Sequence, residues 1–172
     1  TLDGTLFPYT TLFRSYNGIK LLLSNGMAPP QATAERIKNA FFDGRAAYVD
    51  SVHCGTVGRN DETDRVHIAK VLATVNVSQI TAKKYRVVLD SVNGAGARSA
   101  KKLLAQLGCK VVAMNDEPTG LFAHGAEPTA ANLGDLCGRV RQEKADLGFA
   151  QDPDADRLAI VDENGVYIGE EY

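Results

Sequence analysis

A length of 172 residues is enough for one domain, or for one domain with part of another. A hydrophobic share of 44% with 23% charged residues is ordinary for a globular chain, and 19 Lys and Arg against 21 Asp and Glu leave a net charge of -2, with no basic run to suggest a nucleic-acid partner. No apolar stretch approaches a membrane span, the N-terminus lacks the regions of a signal peptide, and Cys54, Cys109 and Cys137 read as small buried hydrophobes of a reducing, cytoplasmic protein.

Residues 1–15 show no sustained helical or alternating period and read as foreign to the fold that follows. Thr1-Leu-Asp-Gly-Thr-Leu6 is similar to the phosphatase pattern Asp-x-Asp-Gly-Thr, but Thr1 stands where the nucleophilic carboxylate is needed, which breaks that chemistry. Asn17-Gly18 marks a tight turn, and residues 19–23 read as a strand carrying Lys20, on sequence alone a surface lysine. Ile37, Ala40 and Phe41 fall at helical spacing within residues 33–42, with Gly44 as a stop signal. Residues 45–58 have no clear period, and the adjacent His53 and Cys54 do not converge on a metal. Asp61 or Thr63 is expected to cap a helix whose apolar stripe is Ile68, Val71, Leu72 and Val75.

Residues 86–92 then predict a buried strand, Asn93-Gly-Ala-Gly96 a turn, residues 97–107 a helix with Leu103, Leu104 and Leu107 on its apolar face, and residues 110–114 a second strand. This βαβ unit calls for parallel strands. Gly94 and Gly96 also match two of the three glycines of the dinucleotide fingerprint, with Asp116 near the expected distance, but Ser99 holds the third place. Residues 115–131 form a long connection of the kind that is functional or mobile, and its His124 reads as a solvent-exposed loop histidine. A helix over residues 133–144 through Leu136 and Val140 precedes a strand at 145–150 and a closing hairpin, 158–161 with 166–168 around Gly165. The class is α/β, with a largely parallel sheet and flanking helices.

Between the last strands lies Gln151-Asp-Pro-Asp-Ala-Asp-Arg157, with carboxylates at i, i+2 and i+4. Three anions turned onto one centre repel, and a hard divalent cation such as Mg²⁺, which prefers oxygen ligands, removes that cost. Arg157 adds a planar fork suited to carboxylate or phosphate. A plain acidic turn is one alternative. A calcium loop is another, since Asp152, Asp154, Asp156 and Glu163 occupy its positions 1, 3, 5 and 12, although Arg157 replaces the glycine needed at position 6.

The run Ala145-Asp-Leu-Gly-Phe-Ala-Gln-Asp-Pro-Asp-Ala-Asp-Arg-Leu-Ala-Ile-Val-Asp-Glu-Asn-Gly165 resembles the metal-binding loop of the α-D-phosphohexomutases, which include phosphoglucosamine mutase, phosphomannomutase and phosphoglucomutase. Val87-Val-Leu-Asp-Ser-Val-Asn-Gly-Ala-Gly96 and Glu127-Pro-Thr129 resemble the second domain of the same family, and the similarity runs from about Tyr16 to Tyr172. The resemblance implies an isomerase that interconverts hexose or hexosamine 1- and 6-phosphates through a sugar bisphosphate, using a phosphoserine and Mg²⁺. It implies metal ligation by Asp152, Asp154 and Asp156, and catalytic roles for Arg157 and for Lys20, whose amine would lie near the phosphoryl group in flight. It divides the chain into a non-matching segment (1–15), the end of a first domain (16–64) and a second domain with the metal loop (65–172).

The family's donor motif, Thr-Ala-Ser-His-Asn-Pro, would fall where Tyr9-Thr-Thr-Leu-Phe13 stands, and Ser15 lacks that context. The expectation is therefore a fragment that holds the metal site without its phosphate donor and is inactive alone. Which sugar phosphate is used and how the protein assembles are not written in these residues. The competing readings are a Rossmann-like nucleotide-binding domain and a non-catalytic metal-binding module.

Overall fold

The computed structural model describes residues 21–45 and 47–169. They fall into two compact units divided between Asn60 and Asp61. Among the described residues no helix is long and apolar enough to cross a membrane.

In the first unit, α1 (Gln31–Phe42) starts directly after Pro30, two residues before the expected point. Proline suits a helix start because the first turn needs no N–H donor there. The helix has no buried residue, and Phe41 and Phe42 are both about three-quarters exposed, so its predicted apolar stripe meets no core among the described residues. Residues 21–23 take no strand, while the Asn17-Gly18 turn and Lys20 lie outside the described residues. The segment after α1 is irregular. In it, Asp50 accepts bonds from the Val52 and His53 backbone N–H groups and meets His53 Nδ1 at 2.6 Å, a self-contained turn in which Cys54 is exposed rather than buried.

The second unit opens with α2 (Thr63–Leu72). Neither Asp61 nor Thr63 caps it. Glu62 is at the N-cap, where its side chain makes no capping bond and instead pairs with Arg65 at 2.9 Å, and Asp64 in the first turn bridges Arg98 at 3.1 Å and Lys102 at 2.7 Å on α4 (Ala97–Gln106). Ile68 is buried as expected, but Val75 lies beyond the helix end and is 40% exposed. A further short helix, α3 (Val77–Lys83), starts where the Asn76 side chain accepts the Gln79 N–H, and it ends at Lys84 in a left-handed conformation.

The sheet has the order β2-β1-β3-β4-β5. β1 (Arg86–Asp90) pairs in parallel with β2 (Lys110–Met114) and with β3 (Leu147–Gln151). The parallel arrangement expected from the βαβ pattern holds for these three strands. β4 (Leu158–Val161) and β5 (Tyr167–Gly169) return antiparallel, so the sheet is mixed. Parallel strands are covered on both faces and read as continuous apolar runs. In β1, accordingly, Val87 and Leu89 join Leu104 on one side, while Val88 joins Leu133, Leu136, Val140, Ala159 and Val161 on the other.

The second side is covered by α5 (Gly134–Glu143), whose Leu136 and Val140 are completely buried, as their spacing requires. Burial of Leu89, Leu133 and Leu136 stabilises the unit by about 1.5–3 kcal/mol each. Cys109 and Cys137 are free thiols at the edges of the two core clusters.

Candidate functional site

β1 ends at Asp90, two residues before the expected point, because Val92 and Asn93 both take positive φ (45° and 57°). A β-branched residue in the left-handed region is strained, at a cost on the order of 1–3 kcal/mol, and persists only where its surroundings hold it. Here they do. Val92 is fully buried, its N–H bonds Asp90 Oδ1 at 3.0 Å, the Asn93 N–H bonds the Asn115 carbonyl at 2.7 Å, and the Asn93 side chain bonds the Glu117 carbonyl at 3.0 Å.

This turn sets Asn93-Gly-Ala-Gly96 against the acidic loop. The Ala95 N–H donates to the Pro153 carbonyl at 2.8 Å. A Cβ on Gly94 would stand 2.5 Å from that same oxygen, and one on Gly96 would stand 2.5 Å from the Ala155 Cβ. The space these glycines leave is therefore filled by the acidic loop, and none is left there for a dinucleotide pyrophosphate.

The acidic loop itself reverses at Ala155, whose φ of 59° lies in the left-handed region and whose N–H bonds the Asp152 carbonyl at 3.1 Å. Asp152 is buried (2% exposed), Asp154 half-buried and Asp156 exposed, and one carboxylate oxygen from each lies within 4.8 Å of the others. Around Mg²⁺, with bonds of about 2.1 Å, neighbouring ligand oxygens lie roughly 3.0 Å apart and opposite ones roughly 4.2 Å apart. Three carboxylates gathered within 4.8 Å on one short loop make an all-oxygen donor set, the chemistry that a hard divalent ion takes. Glu163 is not among them. β4 carries the chain away to the turn where Glu163 is exposed, which removes the last ligand of a calcium loop.

Arg157 is placed beside this cluster. Its backbone N–H bonds Asp152 Oδ1 and its Nε bonds Asp152 Oδ2, both at 3.1 Å, and Nε lies 3.8 Å from Asp156. Its Nη1 donates to Glu127 of the long connection. Burial pushes the Asp152 carboxyl up, but the Arg157 backbone N–H, Asp156 and the Arg157 guanidinium together hold it below the usual carboxylate range. Glu127 first, and Asp152 after it, make Arg157 harder to deprotonate.

The connection over residues 115–131 is anchored. Asp90 at the end of β1 is 1% exposed and accepts from Asn115 Nδ2 at 3.0 Å and from His124 Nε2 at 3.1 Å. His124 Nδ1 lies 2.9 Å from the Gly125 carbonyl, so both ring nitrogens face acceptors, an arrangement that favours the imidazolium form. His124 is thus not a solvent-exposed histidine. Its side chain is 18% exposed, and the carboxylate of Asp90 draws it inward. Asp90, against the cost of its burial, is held below its ordinary range by His124, Asn115 and the Val92 N–H. Asp90 raises the His124 pKa, opposed by burial and helped by the Gly125 carbonyl and Asp135.

Asp152, Asp154, Asp156 and Arg157 come together as expected, and Lys20 lies outside the described residues. Sequence reasoning gave no contact to Asp90, His124 or Glu127. One signal was present, since a lone acid ending the apolar run Val87-Val-Leu-Asp90 must find a partner if the strand is buried.

Residues 65–165 match the family profile described as phosphoglucomutase/phosphomannomutase, α/β/α domain II. The chain is 38% identical over 153 residues to a Thermococcus gammatolerans protein named "probable phosphoglucosamine mutase", covering 89% of this chain and 33% of the relative. It is 38% identical over 154 residues to the "phosphoglucomutase/phosphomannomutase" of Thermococcus kodakarensis, covering 89% and 34%. A solved structure of a phosphoglucomutase/phosphomannomutase family protein from Burkholderia thailandensis superposes with a TM-score of 0.67 at 25% identity, over 88% of this chain and 31% of the other. The chain spans about a third of the length of the curated relatives it matches.

Proposed function

Because the chain belongs to the phosphoglucomutase/phosphomannomutase family, we propose that it supplies the metal-binding domain of a phosphohexomutase, an isomerase acting on hexose or hexosamine phosphates through a sugar bisphosphate. The observation that carries this reading is the convergence of Asp152, Asp154 and Asp156 within 4.8 Å on a loop braced by the glycine turn. Mg²⁺ bound there would neutralise charge on a transferring phosphoryl group, a reaction governed by positioning and electrostatics. The loop residues hold their carboxylates together, and Arg157 keeps a planar fork at the rim. Lys20 is assigned a charge-stabilising role by the family resemblance alone. Residues 16–64 read as the end of the preceding domain, in keeping with a family match that begins at residue 65.

Titration with Mn²⁺ or Mg²⁺ tests the reading. Asp154→Asn keeps the side chain's shape and removes one charge, so it is expected to weaken binding by about tenfold while leaving folding nearly intact. Equal affinities for wild type and variant would reduce the loop to an acidic turn. Arg157→Lys should spare the metal and slow turnover in a complete enzyme, because an ammonium cannot reproduce a bidentate fork. The 172-residue chain alone should show no persistent turnover with a bisphosphate primer, since Tyr9-Thr-Thr-Leu-Phe13 stands in place of the donor motif. Sustained product formation would contradict that.

A further inference from the structure

We propose that Glu127 is a positioning residue for Arg157, fixing one end of the guanidinium while Asp152 fixes the other, so that the plane of the fork is set beside the acid cluster. Nε is bonded to Asp152 at 3.1 Å and Nη1 to Glu127, and two bonded nitrogens determine the orientation of a planar group.

Glu127 is itself built to hold still. Its carbonyl accepts from the Thr129 N–H and from Asn132 Nδ2, both at 2.8 Å, and Pro128 after it is buried. Upstream, His124 ties the same connection to the buried Asp90. The Glu127–Arg157 pair is itself more than a third exposed on both sides, so it contributes little to stability. A weak pair mounted on a rigid turn orients a side chain; it does not hold a fold together. A role in turnover rests on the mutase reading, but the orientation of Arg157 does not.

The test is nitrogen-15 relaxation of the Arg157 Nε–H group in this chain. Wild type is expected to show an ordered Nε near the rigid range, and Glu127→Gln should drop its order parameter below about 0.6. Glu127→Asp keeps the charge on a shorter arm and should fall between the two. Glu163→Gln removes a charge elsewhere and should change nothing. An unchanged Arg157 Nε in Glu127→Gln would overturn the proposal, because Asp152 alone would then suffice. If that variant does not fold, unchanged order in Glu127→Asp overturns it equally. Mn²⁺ titration of the same samples keeps the two readings apart: unaltered metal affinity in Asp154→Asn counts against the mutase domain, whereas an indifferent Arg157 counts only against Glu127.

Discussion

Replacing Asp90 by alanine is expected to lower the unfolding free energy by about 3–5 kcal/mol, the range for breaking a buried charged pair by removing one partner. The carboxylate is 1% exposed and collects bonds from His124, Asn115 and the Val92 N–H, so its loss leaves three donors without an acceptor. It also releases the left-handed Val92, which that N–H bond helps to hold. The pH dependence carries its own signature. The His124 pKa is raised by folding, so its contribution is complete below its unfolded value near 6.5 and fades as pH rises through the higher folded value. The Asp90 pKa is depressed, so its contribution is complete above about 3.9 and fades as pH falls through the lower folded value. Denaturant unfolding across pH 3–9 should therefore show the clasp strongest between roughly pH 4 and 6.5. In Asp90→Ala the decline above pH 6.5 should flatten, and NMR should show the His124 pKa fall. A loss under 1 kcal/mol with an unmoved His124 would mean that solvent already screens the pair.

Placements that depend on local spacing were legible in advance. Leu136 and Val140 are four apart on α5 and both end in the core. The three acids at alternate positions do converge, since a short loop with Pro153 leaves them few other places to go. What the sequence hid depends on contacts across long separations. Glu127 meets Arg157 across 30 residues, and His124 meets Asp90 across 34. No period or motif encodes such a pairing, so His124 read as an ordinary loop residue. The end of β1 was missed for a different reason. Val92 favours strand by propensity, and the bond from its N–H to the Asp90 side chain two residues back, with the long-range bond from the Asn93 N–H to Asn115, turns the chain out of the sheet there. The strand pairing was half visible, because the alternation of strand and helix marks the parallel half, while the short antiparallel return after the acidic loop leaves only a hairpin signal.

Gly94→Ala is expected to damage the acidic loop without touching a single carboxylate. The added methyl would lie 2.5 Å from the Pro153 carbonyl oxygen and 2.7 Å from its Cα. Both are backbone atoms, so no rotamer change can relieve the clash. Either the glycine turn or residues 152–156 must move, and either motion threatens the bond from the Ala95 N–H to Pro153. Overpacking of this kind costs about 1–3 kcal/mol. The displaced loop should also lose Mn²⁺ affinity by tenfold or more, about 1.4 kcal/mol, because its three oxygens no longer stand together. Gly138→Ala, in the middle of α5 with nothing within 4 Å of the new methyl, is the matched control. It should stabilise by about 0.5–1 kcal/mol through helix propensity and leave the metal unaffected. The comparison separates bracing from general glycine effects. If Gly94→Ala binds Mn²⁺ as tightly as wild type, the glycine turn is packing and nothing more, and the acidic loop holds its shape alone.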